Sequence, residues 1–361
     1  MDTKRIKYVE ISDYFKNKID NGEMKPGEKL PTEYEMVDMF SVSRHTVRQA
    51  ILELEKDKYI YREKGVGAFC ADREKDIIKE QNMIMVITTY ISDYIFPYII
   101  RGIEEVLSQK GYGVILFSTR NEKEKEAEQL KKLLNYNIVG AIIEPTTSAI
   151  ENVNSEYYME LNKKKIPYIM INSFYEGLNK SYVDIDDEKG GYLACKHLLD
   201  LGHKKIAAVF KEDDSQGIKR KNGYIKALEE YNIDVDKTLV GSYKTFEEDF
   251  YPYAFVKNLL SKGQDRPTAV VAYNDKIAVQ IISAARELGL KIPEDLSIVG
   301  YDNEQIIASI INGGLTTIDH PKEELGKLVA KELLSIIEGE KESFSYTYEP
   351  KLIIKKSTKN L

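Results

Sequence analysis

The chain has 361 residues, of which 42% are hydrophobic and 31% are charged, and its formal net charge is −7. This length exceeds one ordinary hydrophobic core and predicts two domains, while the negative charge excludes a general basic field for nucleic acid. Any contact with a polyanion must therefore come from a local patch. The two cysteines, Cys70 and Cys195, lie far apart and outside any CxxC pair, which argues against a disulfide framework and against a zinc site.

The sequence also lacks the apolar runs of exported and membrane proteins. Its first residues, MDTKRIKYVEISDYF, mix charged with apolar positions, which is not the pattern of a signal peptide. No run reaches about 18 apolar residues, the length of a membrane span. We therefore expect a cytoplasmic protein with no membrane partner.

Residues 1–72 have the pattern of short helices followed by a β-hairpin. Thr32 and Glu35 form a capping-box pair before a short helix, and Ser43 is placed to cap a second helix over roughly 44–56. The stretch YIYREKGVGAF alternates, turns, and alternates again, which predicts a two-stranded ribbon. The charged residues 73–82 follow as the predicted linker.

From residue 83 to 361 the pattern changes to short apolar runs that alternate with segments of helical period. The runs are MIMVIT, YGVILFS, IVGAII, IPYIMI, KKIAAVF, PTAVVAY and LSIVG. The helical segments are 98–110, 123–136, 187–201, 217–232 and 275–289. Strands alternating with helices at this spacing predict an α/β fold with doubly wound parallel sheets, divided into two lobes because of the number of units.

The helix at 44–56 carries polar groups beside its apolar face. The apolar face is formed by Val47, Ala50, Ile51 and Leu54, so Arg44, His45, Thr46 and Arg48 point elsewhere. No acidic residue lies between positions 39 and 52, so no local carboxylate at helical spacing neutralises these cations. Arginine suits bidentate contact with guanine or phosphate, and the preceding short helix fits a helix-turn-helix that enters the major groove. The alternative is a solvated helix face with incidental cations.

The whole segment from residue 22 to 70 resembles the winged helix-turn-helix of the GntR family. The matching motifs are PG at 26–27, LPTE at 30–33, VSR at 42–44, TVR at 46–48 and GVG at 65–67. The resemblance implies that the second helix reads bases or phosphates, that a wing over 64–67 reaches the minor groove, and that Lys7 and Thr32 contact the backbone. The DNA-binding residues implied are Lys7, Thr32, Ser43, Arg44, His45, Thr46, Arg48, Lys64, Gly65 and Gly67.

The charge of this segment limits how it can bind. Residues 1–72 contain 13 Lys and Arg against 14 Asp and Glu, so the domain is close to neutral. Weak general attraction then has to be compensated by concentrated contacts. We expect a homodimer that presents two such domains to two half-sites of double-stranded DNA.

In the second region, polar residues recur where predicted strands end. These residues are Glu144, Asn172, Lys211, Asn274, Asp275 and Asp302, with Arg220 opening a helix and His320 following LTTID. Ligands of open α/β sheets bind at the carboxyl ends of the strands, and aromatic residues of the loop after the first strand, such as Tyr94 and Phe96, can stack on a sugar ring. Taken singly, each polar residue has a duller explanation as a turn former or helix cap, and Asp186 is an example.

Residues 83–361 resemble the LacI-type effector domain, which is itself similar to periplasmic sugar-binding proteins. The matching stretches include HLLDLGHKKIA, KRKNGYIKAL, YNDKIA, IPEDLSIVGYDN and LTTIDHPKEELGKLVAKEL. The resemblance implies that Arg220, Asn274, Asp275 and Asp302 bind the sugar. The full candidate set is Tyr94, Phe96, Arg101, Glu144, Asn172, Asp186, Lys211, Arg220, Asn274, Asp275, Asp302 and His320.

The two resemblances together imply a sequence-specific repressor that a small sugar, expected to be L-arabinose, releases from operator DNA. Spacing alone indicates only a small polar ligand, so another pentose, a hexose, a purine or a sugar phosphate stays open. An enzyme that uses pyridoxal phosphate is the rival class, but the second region is short for that fold and lacks a phosphate-cradling glycine loop. An extracellular sugar receptor conflicts with the DNA-binding segment. We expect no cofactor, no metal and no catalytic residue.

Overall fold

The computed structural model describes residues 7–63, 65–71, 82–178, 180–305 and 311–361. Its internal contacts divide the chain into two compact units, Met1–Gln81 and Asn82–Leu361. Lys64 of the predicted wing lies outside the described residues, and so does the predicted linker except for its last residue.

The first unit consists of three helices and a hairpin in its described part. Its elements are α1 (Lys7–Asp20), α2 (Glu33–Phe40), α3 (Arg44–Lys56), β1 (Ile60–Glu63) and β2 (Gly67–Cys70). The two strands pair antiparallel, as the alternating sequence predicts.

Local capping fixes where α2 and α3 begin. The Thr32 Oγ1 accepts a hydrogen bond from the Glu35 N–H (3.3 Å), and the Thr32 N–H donates to the Glu35 carboxylate (2.7 Å), which completes the predicted capping box. The Ser43 Oγ accepts from the Thr46 N–H (3.2 Å). Between the helices Ser41 adopts φ +51°, the left-handed backbone that turns the chain into α3. The apolar face of α3 is buried against Phe15, Leu30 and Met36.

The second unit begins with a run of strand–helix units. In chain order its first elements are β3 (Met83–Thr88), α4 (Phe96–Gln109), β4 (Gly113–Ser118), α5 (Lys123–Asn135), β5 (Gly140–Ile143), α6 (Ser155–Lys163), β6 (Tyr168–Ile171) and β7 (Tyr182–Ile185). Over the described ranges, one six-stranded sheet has the order β4-β3-β5-β6-β7 followed by a strand from near the end of the chain. Every described pairing in this sheet is parallel.

The rest of the unit builds a second lobe and then returns to the first. The elements are α7 (Asp187–Asp200), β8 (Ile206–Lys211), α8 (Ser215–Glu230), β9 (Val240–Tyr243), α9 (Tyr251–Leu260), β10 (Ala269–Ala272), α10 (Asp275–Glu287), β11 (Ser297–Asp302), β12 (Thr316–Asp319), α11 (Lys322–Ile337), β13 (Ser345–Tyr348) and β14 (Lys351–Ile353). In the described part of the chain, the second sheet has six strands in the order β9-β8-β10-β11-β12-β14.

The chain passes between the lobes after β7, after β12 and after β13. The strand β13 adds to the first sheet beside β7, and β14 adds antiparallel to β12 in the second sheet. The helix α11 packs on α4 of the first lobe, although it follows a strand of the second. The described connections between lobes therefore lie at the carboxyl ends of β7, β12 and β13, the end of a parallel sheet at which ligands bind.

The α/β class and the parallel, two-lobed sheets agree with the sequence prediction, and each predicted apolar run contains a strand. Strands with mixed sequences, such as YVDI (β7), VGSY (β9) and SYTY (β13), were not predicted because polar residues or glycine interrupt their apolar positions. In the described residues, no helix is both long enough and apolar enough to cross a membrane.

Candidate functional site

A cleft in the second unit holds most of the predicted ligand-binding residues. It encloses about 610 Å³ of space, part of it open to solvent. The side chains that line it come from strand ends of both sheets and from the loops and helices that follow them: Thr89, Tyr90, Asp93, Tyr94, Ile95, Phe96, Glu144, Lys211, Asp214, Gln216, Arg220, Glu248, Tyr273, Asn274, Lys276, Asp302 and His320.

Asp302, the last residue of β11, is held from two sides. The Tyr94 hydroxyl donates to one carboxylate oxygen (2.7 Å), and the His320 Nδ1 lies 3.1 Å from the other. Asp302 adopts φ +92° and Tyr94 adopts φ +58°, left-handed backbone that side chains other than glycine rarely take. Such strain persists where the surrounding structure enforces it, and it concentrates at functional sites.

Arg220 on α8 is the buried cation of the cleft. Its Nε donates to Asp187 (2.7 Å), its Nη1 donates to the Tyr273 carbonyl (2.7 Å), and its Nη2 lies 4.0 Å from Asp302. The guanidinium carbon lies 3.5 Å from the centre of the Tyr301 ring, a cation–π contact. Although burial lowers it, the charge of Asp187 keeps the pKa of Arg220 well above its ordinary value. The group is a fixed positive charge.

Two glycines let α7, which begins with Asp187, pack closely against α8, which carries Arg220. A Cβ on Gly191 would lie 2.1 Å from the Arg220 carbonyl oxygen, and one on Gly223 would lie 1.9 Å from the Glu188 carbonyl oxygen. Either distance is shorter than a van der Waals contact. The close packing of α7 on α8 therefore depends on glycine at both positions, and it brings Asp187 to Arg220.

Two aspartates at the cleft, Asp302 and Asp275, differ in protonation. Burial acts to raise the pKa of Asp302, but the hydrogen bond with His320 and the charge of Arg220 outweigh it and lower that pKa to about 2. Burial raises the pKa of Asp275 to about 7, even though its carboxylate accepts hydrogen bonds from the Glu304 N–H (2.7 Å) and the Thr317 hydroxyl (2.8 Å). Asp302 is thus ionised near neutral pH, and Asp275 titrates there.

The other lining cations are also paired. Lys211 lies 2.9 Å from the Asp214 carboxylate, and Lys276 donates to Glu248 (2.6 Å). Opposite them, Glu144 accepts from the Thr89 N–H (2.8 Å), and burial raises its pKa. The cleft therefore offers both donors and acceptors with little net positive charge.

Eight predicted ligand-binding residues line this cleft: Tyr94, Phe96, Glu144, Lys211, Arg220, Asn274, Asp302 and His320. Two others lie behind its wall, where Asn172 donates to Glu144 (2.8 Å) and Asp275 contacts Tyr94 through its N–H (3.1 Å).

The structure places two predicted residues elsewhere, and we remove them from the candidate site. Arg101 lies on the surface and pairs with Glu323, because α4 turns its side chain toward α11. Asp186 accepts a hydrogen bond from the Lys189 N–H (2.9 Å) and caps α7, so its role is structural. The carboxylate that reaches Arg220 is its neighbour, Asp187.

Sequence reasoning missed several cleft residues. Asp214 follows Lys211 by three positions, so the end of β8 gave a signal that could have found it. Glu248 lies beyond a short 3-10 turn, Thr245–Glu247, far from any predicted strand end, and nothing in the pattern points to it.

The first unit carries the second group of predicted residues on an exposed face. Arg44 and Arg48 both donate to Glu33 of α2 (2.8 and 3.0 Å), and the Arg44 guanidinium lies 4.7 Å from the centre of the Tyr34 ring. The sequence expectation that no local carboxylate neutralises these arginines holds within α3 but misses Glu33. The hydrogen bond from Arg44 lowers the pKa of Glu33.

A groove beside this pair joins α3 to the hairpin. Among the residues lining it are Thr32, Arg44, Arg48, Gly65 and Gly67. Near the groove, the Thr46 hydroxyl lies 2.8 Å from the Ser43 hydroxyl, and His45 and Lys7 are exposed on α3 and α1. Gly65 adopts φ +80°, which suits a glycine in the turn of the hairpin. The described DNA-binding candidates therefore all lie in the first unit, and several of them line this groove.

Two family descriptions match the chain. "Bacterial regulatory proteins, gntR family" matches residues 7–70, and "Periplasmic binding protein-like domain" matches residues 195–358. A LacI-family transcriptional regulator from Enterococcus faecium, solved with bound ribose, is 32% identical with a TM-score of 0.67, and the match covers 77% of this chain and 99% of that one. The fold and the exposed arginine face define a bacterial transcription regulator that joins a gntR-type DNA-binding domain to a periplasmic-binding-protein-like domain.

Two relatives match over nearly the full length. The arabinose metabolism transcriptional repressor of Halalkalibacterium halodurans is 43% identical over 98% of this chain and 96% of its own. The one from Geobacillus stearothermophilus is 42% identical over 98% of both. The chain belongs to the family of arabinose metabolism transcriptional repressors. It is a regulator and not an enzyme, as the sequence analysis predicts.

Proposed function

We propose that the cleft of the second unit binds L-arabinose and that this binding releases the protein from its operator. The observation that carries the proposal is the buried network of Arg220, Asp302, His320 and Tyr94 at the strand ends of both lobes. Fixed donors and acceptors lie there beside aromatic rings, the combination that binds a neutral polyol.

The charge of the cleft favours a neutral sugar over a phosphorylated one. Each lining cation already has a carboxylate partner: Lys211 has Asp214, Lys276 has Glu248, and Arg220 has Asp187. A doubly charged phosphate would have to displace one of these carboxylates or lie beside it, and like-charge repulsion makes either arrangement costly in a largely buried site.

The relatives support the same class of ligand. The two full-length relatives are repressors of arabinose metabolism, and the Enterococcus faecium regulator was solved with ribose, also a pentose.

On DNA, we propose that a homodimer in the cytoplasm presents α3 of each subunit to successive major grooves. Arg44 and Arg48 would exchange their shared partner Glu33 for phosphate or guanine, and the hairpin around Gly65 and Gly67 would reach the adjacent minor groove. Thr32, Ser43, His45, Thr46 and Lys7 are proposed as supporting contacts.

Thermodynamic linkage gives the test of this function. If the sugar releases DNA, then DNA must weaken sugar binding by the same factor. An operator would first be selected from a pool of random duplexes with the full-length protein. Fluorescence anisotropy would then measure the affinity of the protein for this duplex with and without L-arabinose. The sugar affinity would then be measured by calorimetry with and without that duplex. Equal factors support the proposal, and a sugar affinity unchanged by the operator would remove it.

The ligand itself is tested by thermal unfolding in a sugar panel. L-arabinose at saturating excess should stabilise the chain by a few kcal/mol, because it binds only the folded state. Stabilisation by a phosphosugar alone would replace arabinose with a different effector.

A further inference from the structure

Tyr94 reaches from the first lobe across the cleft to the second. It lies in the loop between β3 and α4, and its hydroxyl contacts three groups of the other lobe. These are the Asp302 carboxylate (2.7 Å), the Tyr301 carbonyl (3.1 Å) and the Asp275 N–H (3.1 Å). The phenol ring therefore forms part of the wall of the cleft.

This wall is held in place more firmly than the others. Ile95 and Phe96, which follow Tyr94, are buried in the core of the first lobe, and the ring of Phe96 makes an edge contact with Tyr90. By contrast, the partly exposed Lys276 carries its ammonium group on a flexible stem, and such a group can move to fit a ligand. A ligand can reshape the lysine side of the cleft more readily than the tyrosine side.

The tyrosine wall also limits the space around Asp302. One Asp302 oxygen accepts a hydrogen bond from the Tyr94 hydroxyl, and the other lies 3.1 Å from the His320 Nδ1. A sugar hydroxyl can share the remaining lone pairs of that carboxylate from the cleft side. A substituent that projects past Asp302 would collide with the phenol ring.

We propose that Tyr94 sets the size limit of the ligand, so that the cleft accepts a pentopyranose and rejects the same ring carrying one more exocyclic carbon. This proposal rests on the proposed function of the cleft. It makes Tyr94 a specificity-determining residue whose ring volume is what matters, while its hydroxyl anchors the ring.

Two sugars isolate the effect of the added carbon. D-fucose and D-galactose have the ring hydroxyl configuration of L-arabinose, with a methyl and a hydroxymethyl group added at the same ring carbon. Calorimetric titration of the full-length protein with the three sugars would compare the wild type with Tyr94→Ala, Tyr94→Val and Tyr94→Phe. The phenylalanine variant is the matched control, because it keeps the ring and loses only the hydroxyl.

The expected result is graded by side-chain volume. The wild type and Tyr94→Phe should prefer L-arabinose strongly over both larger sugars. In Tyr94→Ala, the affinities for D-fucose and D-galactose relative to L-arabinose should rise by about 10- to 200-fold. This is the range of selectivity that one added or missing methylene group produces in a binding pocket. Tyr94→Val should lie between them, and it carries the test if the alanine variant fails to fold by circular dichroism.

The possible failures differ from one another. If the wild type binds L-arabinose and the folded small-residue variants still reject both larger sugars, the size limit is not at Tyr94. If Tyr94→Phe admits the larger sugars as well as Tyr94→Ala does, the hydroxyl rather than the ring selects the ligand, and the proposal is overturned. If the wild type binds no L-arabinose, the proposed function fails and this inference falls with it.

Discussion

Arginines in the two units are paired with carboxylates in opposite environments. Arg220 is 6% exposed and contacts Asp187, a carboxylate that is itself buried. Arg44 and Arg48 are 50% and 55% exposed, and both share the single carboxylate of Glu33. A buried pair is costly to break because a lone charge stays in the interior, whereas an exposed pair contributes about 0–1 kcal/mol. The buried pair in the cleft is therefore costly to separate, whereas the exposed pairs on α3 can be separated at little cost.

The largest effect should come from breaking the buried pair. Arg220→Ala leaves Asp187 and Asp302 without their cation, so it should lower the free energy of unfolding by about 3–5 kcal/mol and remove sugar binding. Urea unfolding of the full chain measures the first effect and calorimetry the second. The control is Lys226→Ala, which removes an exposed pair with Glu188 and should be nearly neutral. If both variants lost a similar free energy of unfolding, the buried pair would contribute no more to stability than an exposed one, and the comparison between the two environments would fail.

A second prediction uses the pH dependence of the buried carboxylate Asp275. Because its pKa is raised to about 7 in the folded chain, the folded state holds a proton that the unfolded state releases near pH 4. Its contribution to stability should therefore fall as pH rises from about 4 to about 7, by up to about 1.4 kcal/mol per pH unit, and then level off.

The variant Asp275→Asn should flatten that slope, since an amide does not titrate. Chemical unfolding at pH 5, 6, 7 and 8 would measure it, with the exposed Asp249→Asn as the matched control. An identical slope in wild type and Asp275→Asn would contradict a protonated Asp275.

On the exposed face, the expected effect is on DNA rather than on folding. Arg44→Ala should weaken operator binding by about 1–3 kcal/mol while leaving sugar affinity unchanged, because the arginine is free to leave Glu33 for a base edge. Anisotropy titrations would measure this, with Lys56→Ala at the far end of α3 as the control. Undiminished specific binding would show that α3 is not the reading helix.

The smallest effect should be that of Glu33→Gln on stability. Glu33 pairs with exposed arginines, so the free energy of unfolding of the variant should differ from that of the wild type by less than about 1 kcal/mol. Urea unfolding measures it. A loss as large as that of Arg220→Ala would mean that the pair on α3 is a structural clamp and not an exchangeable contact.

Local rules predicted much of the first unit because its signals are local. The caps at Thr32 and Ser43 and the apolar face of α3 involve residues within a few positions of each other, and the structure has them as expected. The pairing of Glu33 with Arg48 spans 15 positions and depends on how α2 packs on α3. Periodicity within one helix carries no information about such a contact.

In the second unit, sequence predicted the strands that are continuous apolar runs, including the edge strand β4, and missed those of mixed sequence, including β7 inside the first sheet. The ends of predicted strands gave Glu144, Lys211 and Asp302, all of which line the cleft. The candidate set contained Asp186 but not its neighbour Asp187, and the start of α7 decides which of these two carboxylates faces Arg220. The resemblance, rather than spacing, identified Arg220.

The order of strands in the two sheets has a consequence for synthesis on the ribosome. The first sheet acquires its outer strand only when residues 345–348 pair with β7, and the second acquires its own a few residues later. A nascent chain therefore completes the helices of its gntR-type domain long before β13 and β14 have joined the two sheets of the second unit. Translation that stops early would release a fragment that contains the gntR-type domain but lacks a complete cleft.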